Sequence, residues 1–211
     1  MPAPSDPRTL VLHGLRLKGF AEAPAVAEVV GVDEVEAKSL LADLAAQELA
    51  SYREGRMSGF TLTPAGRAEH AQLLSDELDR HGVREAVAAA YRRFLTRNGD
   101  LLDVCTAWQL RGDGDDAVIN DHSDADYDAA VIARLGDIDA GIQPVCEELT
   151  DSLERYRRYG PRLAHALDRL RGGDNDWFTK PMIPSYHTIW FELHEDLLAT
   201  LGIERGQEEV L

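Results

Sequence analysis

Two stretches of this sequence hold residue types that could do chemistry. The first, residues 23–67, carries Lys38, Ser39, Arg53, Arg56 and Arg67. Lys and Arg give charge and hydrogen-bond donors to phosphate oxygens, and Ser adds a hydroxyl, so this set suits nucleic-acid contact. The second, Tyr186-His187-Thr188-Ile189-Trp190-Phe191-Glu192-Leu193-His194-Glu195-Asp196, puts His187, Trp190 or Phe191, and His194 on one helical face. Metal-binding helices set two ligands one turn apart, as in HExxH, whereas these histidines are two turns apart. A metal would need a third ligand from elsewhere, such as His122, and histidines satisfied in an interior or interface fit the spacing better. With Trp108, Tyr186 and Trp190, the histidines His122, His187 and His194 form a candidate ligand-binding set, because pockets between helices are lined by aromatics with a few orienting polar groups. An ordinary core or a dimer interface has the same composition. Gly-rich phosphate loops, GxSxG and dinucleotide fingerprints are missing, so no catalytic residue, metal or cofactor is assigned and an enzyme is not expected. Asp124, Asp126 and Asp128 resemble the start of a calcium loop, but Ala129 and Leu135 stand where Gly and the bidentate Glu belong.

The elements that must position these groups are readable from local signals. Arg8 to Phe20 reads as a first helix with Leu10, Leu12, Leu15, Leu17 and Phe20 apolar. Ala25–Val30 is a short apolar helix that Gly31 ends by taking positive φ. Asp33 is the N-cap of the next helix, to about Glu48, with Glu36 completing an approximate capping box. On this helix positions 35, 40, 41 and 44 are expected to face the core. Glu34, Glu36, Ala37, Lys38, Ser39, Asp43 and Gln47 are expected to point outward, an acidic face with one lysine. Ser51–Arg53 and Gly59–Leu62 read as strands joined by residues 54–58, and Thr63-Pro64 opens a helix to Arg80. Further helices are expected over Val83–Asn98, Leu101–Arg111, Asp124–Leu135 with Ser123 as its cap, Pro144–Tyr159, Pro161–Arg171 and Pro184–Leu201. Gly112–Ser123 is the one long loop.

At 211 residues the chain can hold one large or two small domains, and 44% apolar with 28% charged residues is a globular composition. The net charge of −16 argues against a general nucleic-acid coat. Residues 1–70 carry seven basic against ten acidic residues, −3; residues 71–211 carry fifteen against twenty-eight, −13. Most of the acidity therefore lies outside the stretch with the phosphate-type cations. No signal-peptide pattern or membrane-length apolar run is present, so the expected location is the cytoplasm, with no membrane partner. Cys105 and Cys146 lie in apolar helical patterns without CxxC spacing and read as buried thiols.

The Gly31 turn, Leu40-Leu41-Ala42-Asp43-Leu44, Tyr52-Arg53-Glu54-Gly55-Arg56 and Leu62-Thr63-Pro64-Ala65-Gly66-Arg67 together resemble the winged helix-turn-helix domains of bacterial MarR- and PadR-type transcription regulators. The resemblance covers about residues 8–75. It implies a mainly α fold, with an N-terminal winged helix at 8–75 and an all-helical ligand or dimerisation domain at 76–211. It also implies a homodimer that binds double-stranded DNA, with Lys38, Ser39, Arg53, Arg56 and Arg67 as contacts, under control of a small-molecule effector or protein partner. Trp108-Gln109-Leu110-Arg111, Asp121-His122-Ser123-Asp124 and residues 185–196 are similar to a helical extension of actinobacterial proteins, some linked to pyruvate, phosphate dikinase-like enzymes. The alternative is a winged helix that does not bind DNA and is instead a protein-interaction module in a regulatory or accessory subunit of a metabolic enzyme, which would explain the acidic face of its second helix.

Overall fold

Local capping chemistry starts and stops the first helices. The Asp6 carboxylate accepts the backbone N–H groups of Arg8 (2.8 Å) and Thr9 (3.2 Å), which opens helix α1 (Pro7–Lys18). Helix α2 (Ala23–Val30) ends at Gly31, whose φ of 76° and ψ of 29° are left-handed, with its N–H returned to the Ala27 carbonyl. Asp33 accepts from Val35 N (2.9 Å) and Glu36 N (3.2 Å) and so starts helix α3 (Glu34–Ala46). Strands β1 (Ala50–Arg53) and β2 (Gly59–Leu62) pair antiparallel, with Tyr52 opposite Phe60. Ala21 adds a third rung to this hairpin: its N–H donates to Phe60 O at 3.1 Å and its carbonyl accepts from Phe60 N at 2.8 Å. Thr63 caps helix α4 (Pro64–His81) by accepting Gly66 N at 3.0 Å.

This computed structural model describes residues 2–112 and 117–207. The chain divides into two units. The first comprises Met1–Val87, Asp151–Arg155 and His194–Leu211, and the second Ala88–Thr150 and Tyr156–Leu193. The described chain is mainly α-helical, with two small antiparallel sheets.

In the first unit Val11, Leu12 and Leu15 of α1, Val26 of α2, and Ala37, Leu41 and Leu44 of α3 are almost completely buried around one core. The α3 seam differs from the expected one. Val35 is 78% exposed and Ala37 fully buried. Residues 37, 41 and 44 are one helical stripe, which leaves position 35 well off it. Behind β1, α4 meets the chain so closely that a Cβ on Gly66 would stand 1.9 Å from the Leu49 carbonyl oxygen.

The helices expected over Val83–Asn98 and Leu101–Arg111 are one helix, α5 (Arg84–Gln109), not two, and most of it belongs to the second unit. Asn98-Gly99 does not break it. Phe94, Leu101, Val104 and Trp108 are buried along one face, and Asn98 accepts the Trp190 indole N–H at 2.9 Å. Burial on that scale outweighs the roughly 1 kcal/mol that an interior Gly costs. The expected helices at 124–135 and 144–159 likewise belong to one helix, α6 (Ala125–Ser152), with Pro144 inside it. Pro144 and Ala140, whose carbonyl loses its donor to the proline, are both exposed residues. The cap of α6 is Asp124, which accepts Tyr127 N at 3.1 Å, while Ser123 donates its hydroxyl to Asp121. This unit is not all-helical either, because Leu110–Arg111 (β3) pairs with Val118–Ile119 (β4). The expected loop at 112–123 contains that strand, and its residues 113–116 lie outside the described ones. A 3-10 turn (Glu154–Arg158), α7 (Tyr159–Arg171), α8 (Asp176–Thr179) and α9 (Tyr186–Leu201) complete the chain. Cys105 and Cys146 are buried free thiols, and burial pushes them up to about 11 and about 12.

Candidate functional site

Lys38 and Ser39 are exposed on α3, and Arg53 and Arg56 are exposed on the hairpin. Among the described residues the side chains of Lys38, Arg53 and Arg56 make no hydrogen bond or ion pair, whereas Arg8, Arg16, Arg84, Arg93 and Arg111 all reach carboxylates. A cation left without a partner in so acidic a chain keeps its full capacity for an outside anion. Arg67 differs: its guanidinium donates to the Leu62 carbonyl at 3.0 Å and ties α4 to β2. The hairpin is itself held. Tyr52 donates its hydroxyl to Glu22 at 2.9 Å and packs its ring on Phe60 at 4.7 Å, and Gly55 N–H donates to Ser58 Oγ at 3.4 Å across the turn. Glu34, Glu36 and Asp43 are also exposed on α3. The surface thus combines an acidic helix with a basic hairpin.

The first unit also encloses a polar network that local sequence patterns do not reveal. His13 Nδ1 lies 3.0 Å from His70 Nε2, with the rings stacked at 5.3 Å, and His13 Nε2 lies 3.0 Å from Asp196 Oδ1. Thr200 donates to the same Asp196 oxygen at 3.0 Å and accepts from Arg155 at 2.7 Å. Arg155 also donates to Glu77, and both side chains are about 95% buried. Glu195 takes Arg16 (3.2 Å) and Arg205 (2.9 Å). His13 Nε2 faces the Asp196 carboxylate, and the two imidazoles share one hydrogen between His13 Nδ1 and His70 Nε2. Three carboxylates (Glu77, Glu195, Asp196) face three guanidiniums (Arg16, Arg155, Arg205) in this network. Burial, then the positive charge of His13, Arg16 and Arg155, pushes His70 down to about 3.

That depression sets a pH dependence. His70 ordinarily titrates near 6.5, so between pH 6.5 and about 3 the unfolded chain binds a proton that the folded one refuses. The contribution is complete above pH 6.5 and shrinks by about 1.4 kcal/mol for each unit of acidification below it. Urea unfolding at pH 7.5 and pH 5 should differ by roughly 2 kcal/mol, and His70→Gln should flatten that difference. A wild-type midpoint unchanged over this range would contradict the neutral, buried assignment. The signal available in the sequence was polar groups inside apolar stripes: His13 between Leu12 and Leu15, and His70 and Glu77 seven residues apart beside Leu74 and Leu78.

The candidate ligand set of the second unit is not gathered into one place. Trp108 is buried against His122 (4.3 Å between rings) and Phe178 (4.9 Å). His122 has a left-handed φ of 58°, and its Nδ1 donates to Asp128 at 2.9 Å. Asn120 donates to that carboxylate at 2.9 Å and to the Trp108 carbonyl at 3.1 Å. Tyr186 and Trp190 stack at 6.2 Å in a second cluster, where Tyr186 donates to Asp139 at 3.1 Å. Burial raises both Asp139 and Tyr186. His187 is exposed, and His194 is buried in the first unit. Among the described residues no group of three or more His, Cys, Asp or Glu side chains is placed to hold a metal ion. A cavity of about 220 Å³ in this unit is lined by Arg97, Asp100, Asp103, Arg134 and Asp137 with Val104 and Ile138, none of them picked out from the sequence. Its signal is charge at helical spacing, 97, 100 and 103 on α5 and 134 and 137 on α6. No helix of the described chain is long and apolar enough to cross a membrane.

No protein-family model matches the chain, and no curated protein or solved structure matches it.

Proposed function

We propose that the first unit is a winged helix that binds double-stranded DNA, and that the protein is a cytoplasmic transcription regulator acting as a homodimer. Its helical unit would respond to a small molecule or a protein partner. What supports the reading is one arrangement: α2, the left-handed Gly31 turn and α3, followed by a hairpin whose Arg53 and Arg56 are exposed and free of carboxylates. In such a fold the second helix of the pair enters the major groove, and hairpin arginines reach phosphates or the minor groove. Here the carboxylates of α3 oppose phosphate contact, so Arg53 and Arg56 of the hairpin, with Lys38 of α3, carry the affinity. A homodimer would present two such faces to half-sites about one helical turn apart. The test is selection of duplexes from a randomised pool, followed by fluorescence anisotropy on the selected site. Wild-type protein should retain a defined sequence, and Arg53→Ala/Arg56→Ala should weaken binding about tenfold or more at 0.1 M salt. Equal binding by the double variant would reject the role given to the hairpin.

A second reading rests on a different observation. Glu34, Glu36 and Asp43 share the outer side of α3 with Val35, and Met57 is 74% exposed in the hairpin turn. Carboxylates around exposed apolar side chains also suit a protein-interaction module of a metabolic enzyme's regulatory subunit. A folded protein that retains no duplex at low salt would favour it.

A further inference from the structure

The exposed start of α3 carries a finer statement, one that rests on the DNA-binding reading above. Val35 is the second residue of the helix, is 78% exposed, and lies outside the core of the first unit. Its neighbours Glu34 and Glu36 are exposed carboxylates that enter no ion pair and accept no hydrogen bond among the described residues. The N-terminal end of a reader helix is the part that meets base edges. The major groove offers such a trio a narrow choice. Guanine shows only acceptors there, and adenine sets its N7 acceptor beside its amino group, so both repel a carboxylate. Cytosine offers the N4 amino donor alone, and thymine is the one base with an apolar group, its 5-methyl.

We infer that Val35 is a specificity-determining residue that packs against a thymine 5-methyl group, with Glu34 and Glu36 selecting cytosine beside it. The half-site then carries a thymine–cytosine step on the strand facing the start of α3. Affinity comes from the hairpin cations and Lys38, and discrimination from a helix whose charge would otherwise oppose binding. Val35→Ala removes two methyl groups from an exposed position, so the variant keeps its core intact.

The experiment takes the duplex that the wild-type protein selects from a randomised pool and replaces its thymines one at a time by deoxyuridine, which lacks only the methyl. Anisotropy is then read for wild-type and Val35→Ala proteins. The expected result is one thymine, adjacent to cytosine, whose replacement weakens wild-type binding roughly fourfold and leaves Val35→Ala unaffected. Tight binding with no sensitive thymine, or equal sensitivity in both proteins, overturns the inference while leaving DNA binding in place. A folded protein that selects no duplex overturns both.

Discussion

Arg155→Met should lower the unfolding free energy by about 3–5 kcal/mol, the cost of breaking a buried ion pair from one side. The Arg155 side chain is 3% exposed, and its guanidinium meets Glu77, the Thr200 and Ser5 hydroxyls and the Asp196 carboxylate, all in the first unit. Met fills similar volume but donates nothing, so two carboxylates lose a cation that they share in a dry environment. Ser5 apart, the residues involved come from α4, the 151–155 segment and α9, all within that unit. Adding Glu77→Leu should recover part of the loss, because the double variant no longer buries an unpaired carboxylate at position 77. Urea unfolding at pH 7.5 of the four proteins of this cycle gives the answer. A single-variant loss below 1 kcal/mol would mean that Glu77 and Asp196 reach water and that the network is not buried.

Gly66→Ala should be as damaging, against the usual sign for a helix. Ala is ordinarily better than Gly in a helix by about 1 kcal/mol. At Gly66 the added Cβ meets Leu49 backbone, with the oxygen at 1.9 Å and the carbon at 2.9 Å. No flexible side chain can yield there. The same carbonyl accepts the backbone N–H of Thr63 at 3.0 Å and its hydroxyl at 3.2 Å, so displacing it also loosens the cap of α4. Overpacking of this kind costs about 3 kcal/mol or more, and a drop of at least roughly 6 °C in Tm follows for a chain of this size. Gly99→Ala is the contrast, with nothing within 4 Å of its added Cβ on an exposed side of α5, and should raise stability by about 0.5–1 kcal/mol. Thermal melts followed by circular dichroism compare the two. Gly66→Ala melting with the wild type would show that α4 and the Leu49 backbone are not in this contact.

The contrast between these glycines shows what the sequence makes legible. Asp33, Gly31 and Thr63-Pro64 act on backbone groups within four residues, so their roles in capping and turning are readable without any tertiary knowledge, and the structure bears them out. Gly99 and Pro144 look like the same kind of signal, yet α5 and α6 run through both. The deciding energy there is burial of side chains such as Phe94, Trp108, Ile142 and Leu149, contributed by partners far along the chain. The α3 stripe was legible from Leu40 onward, but the alternation of apolar and acidic residues at its start disguised which of Val35 and Ala37 turns inward. The buried network lay furthest from reach. His13, His70, Glu77, Arg155 and Asp196 span most of the sequence, and no local spacing relates them. In the candidate interface, Lys38, Arg53 and Arg56 are exposed as expected, while Arg67 is committed to the Leu62 carbonyl. The aromatic and histidine set was legible as residue types only. Its division into a Trp108–His122 cluster, a Tyr186–Trp190 cluster and a separate His194 depends on the course of four helices and a turn.

The measurement closest to the central proposal is the salt dependence of binding to the selected duplex, for wild-type protein and for Arg53→Ala/Arg56→Ala. If the two arginines neutralise phosphates, log Kobs falls linearly with log salt concentration, and the double variant loses about two units of slope as well as affinity. A wild-type affinity without salt dependence, or a slope identical in both proteins, would contradict DNA binding through this hairpin.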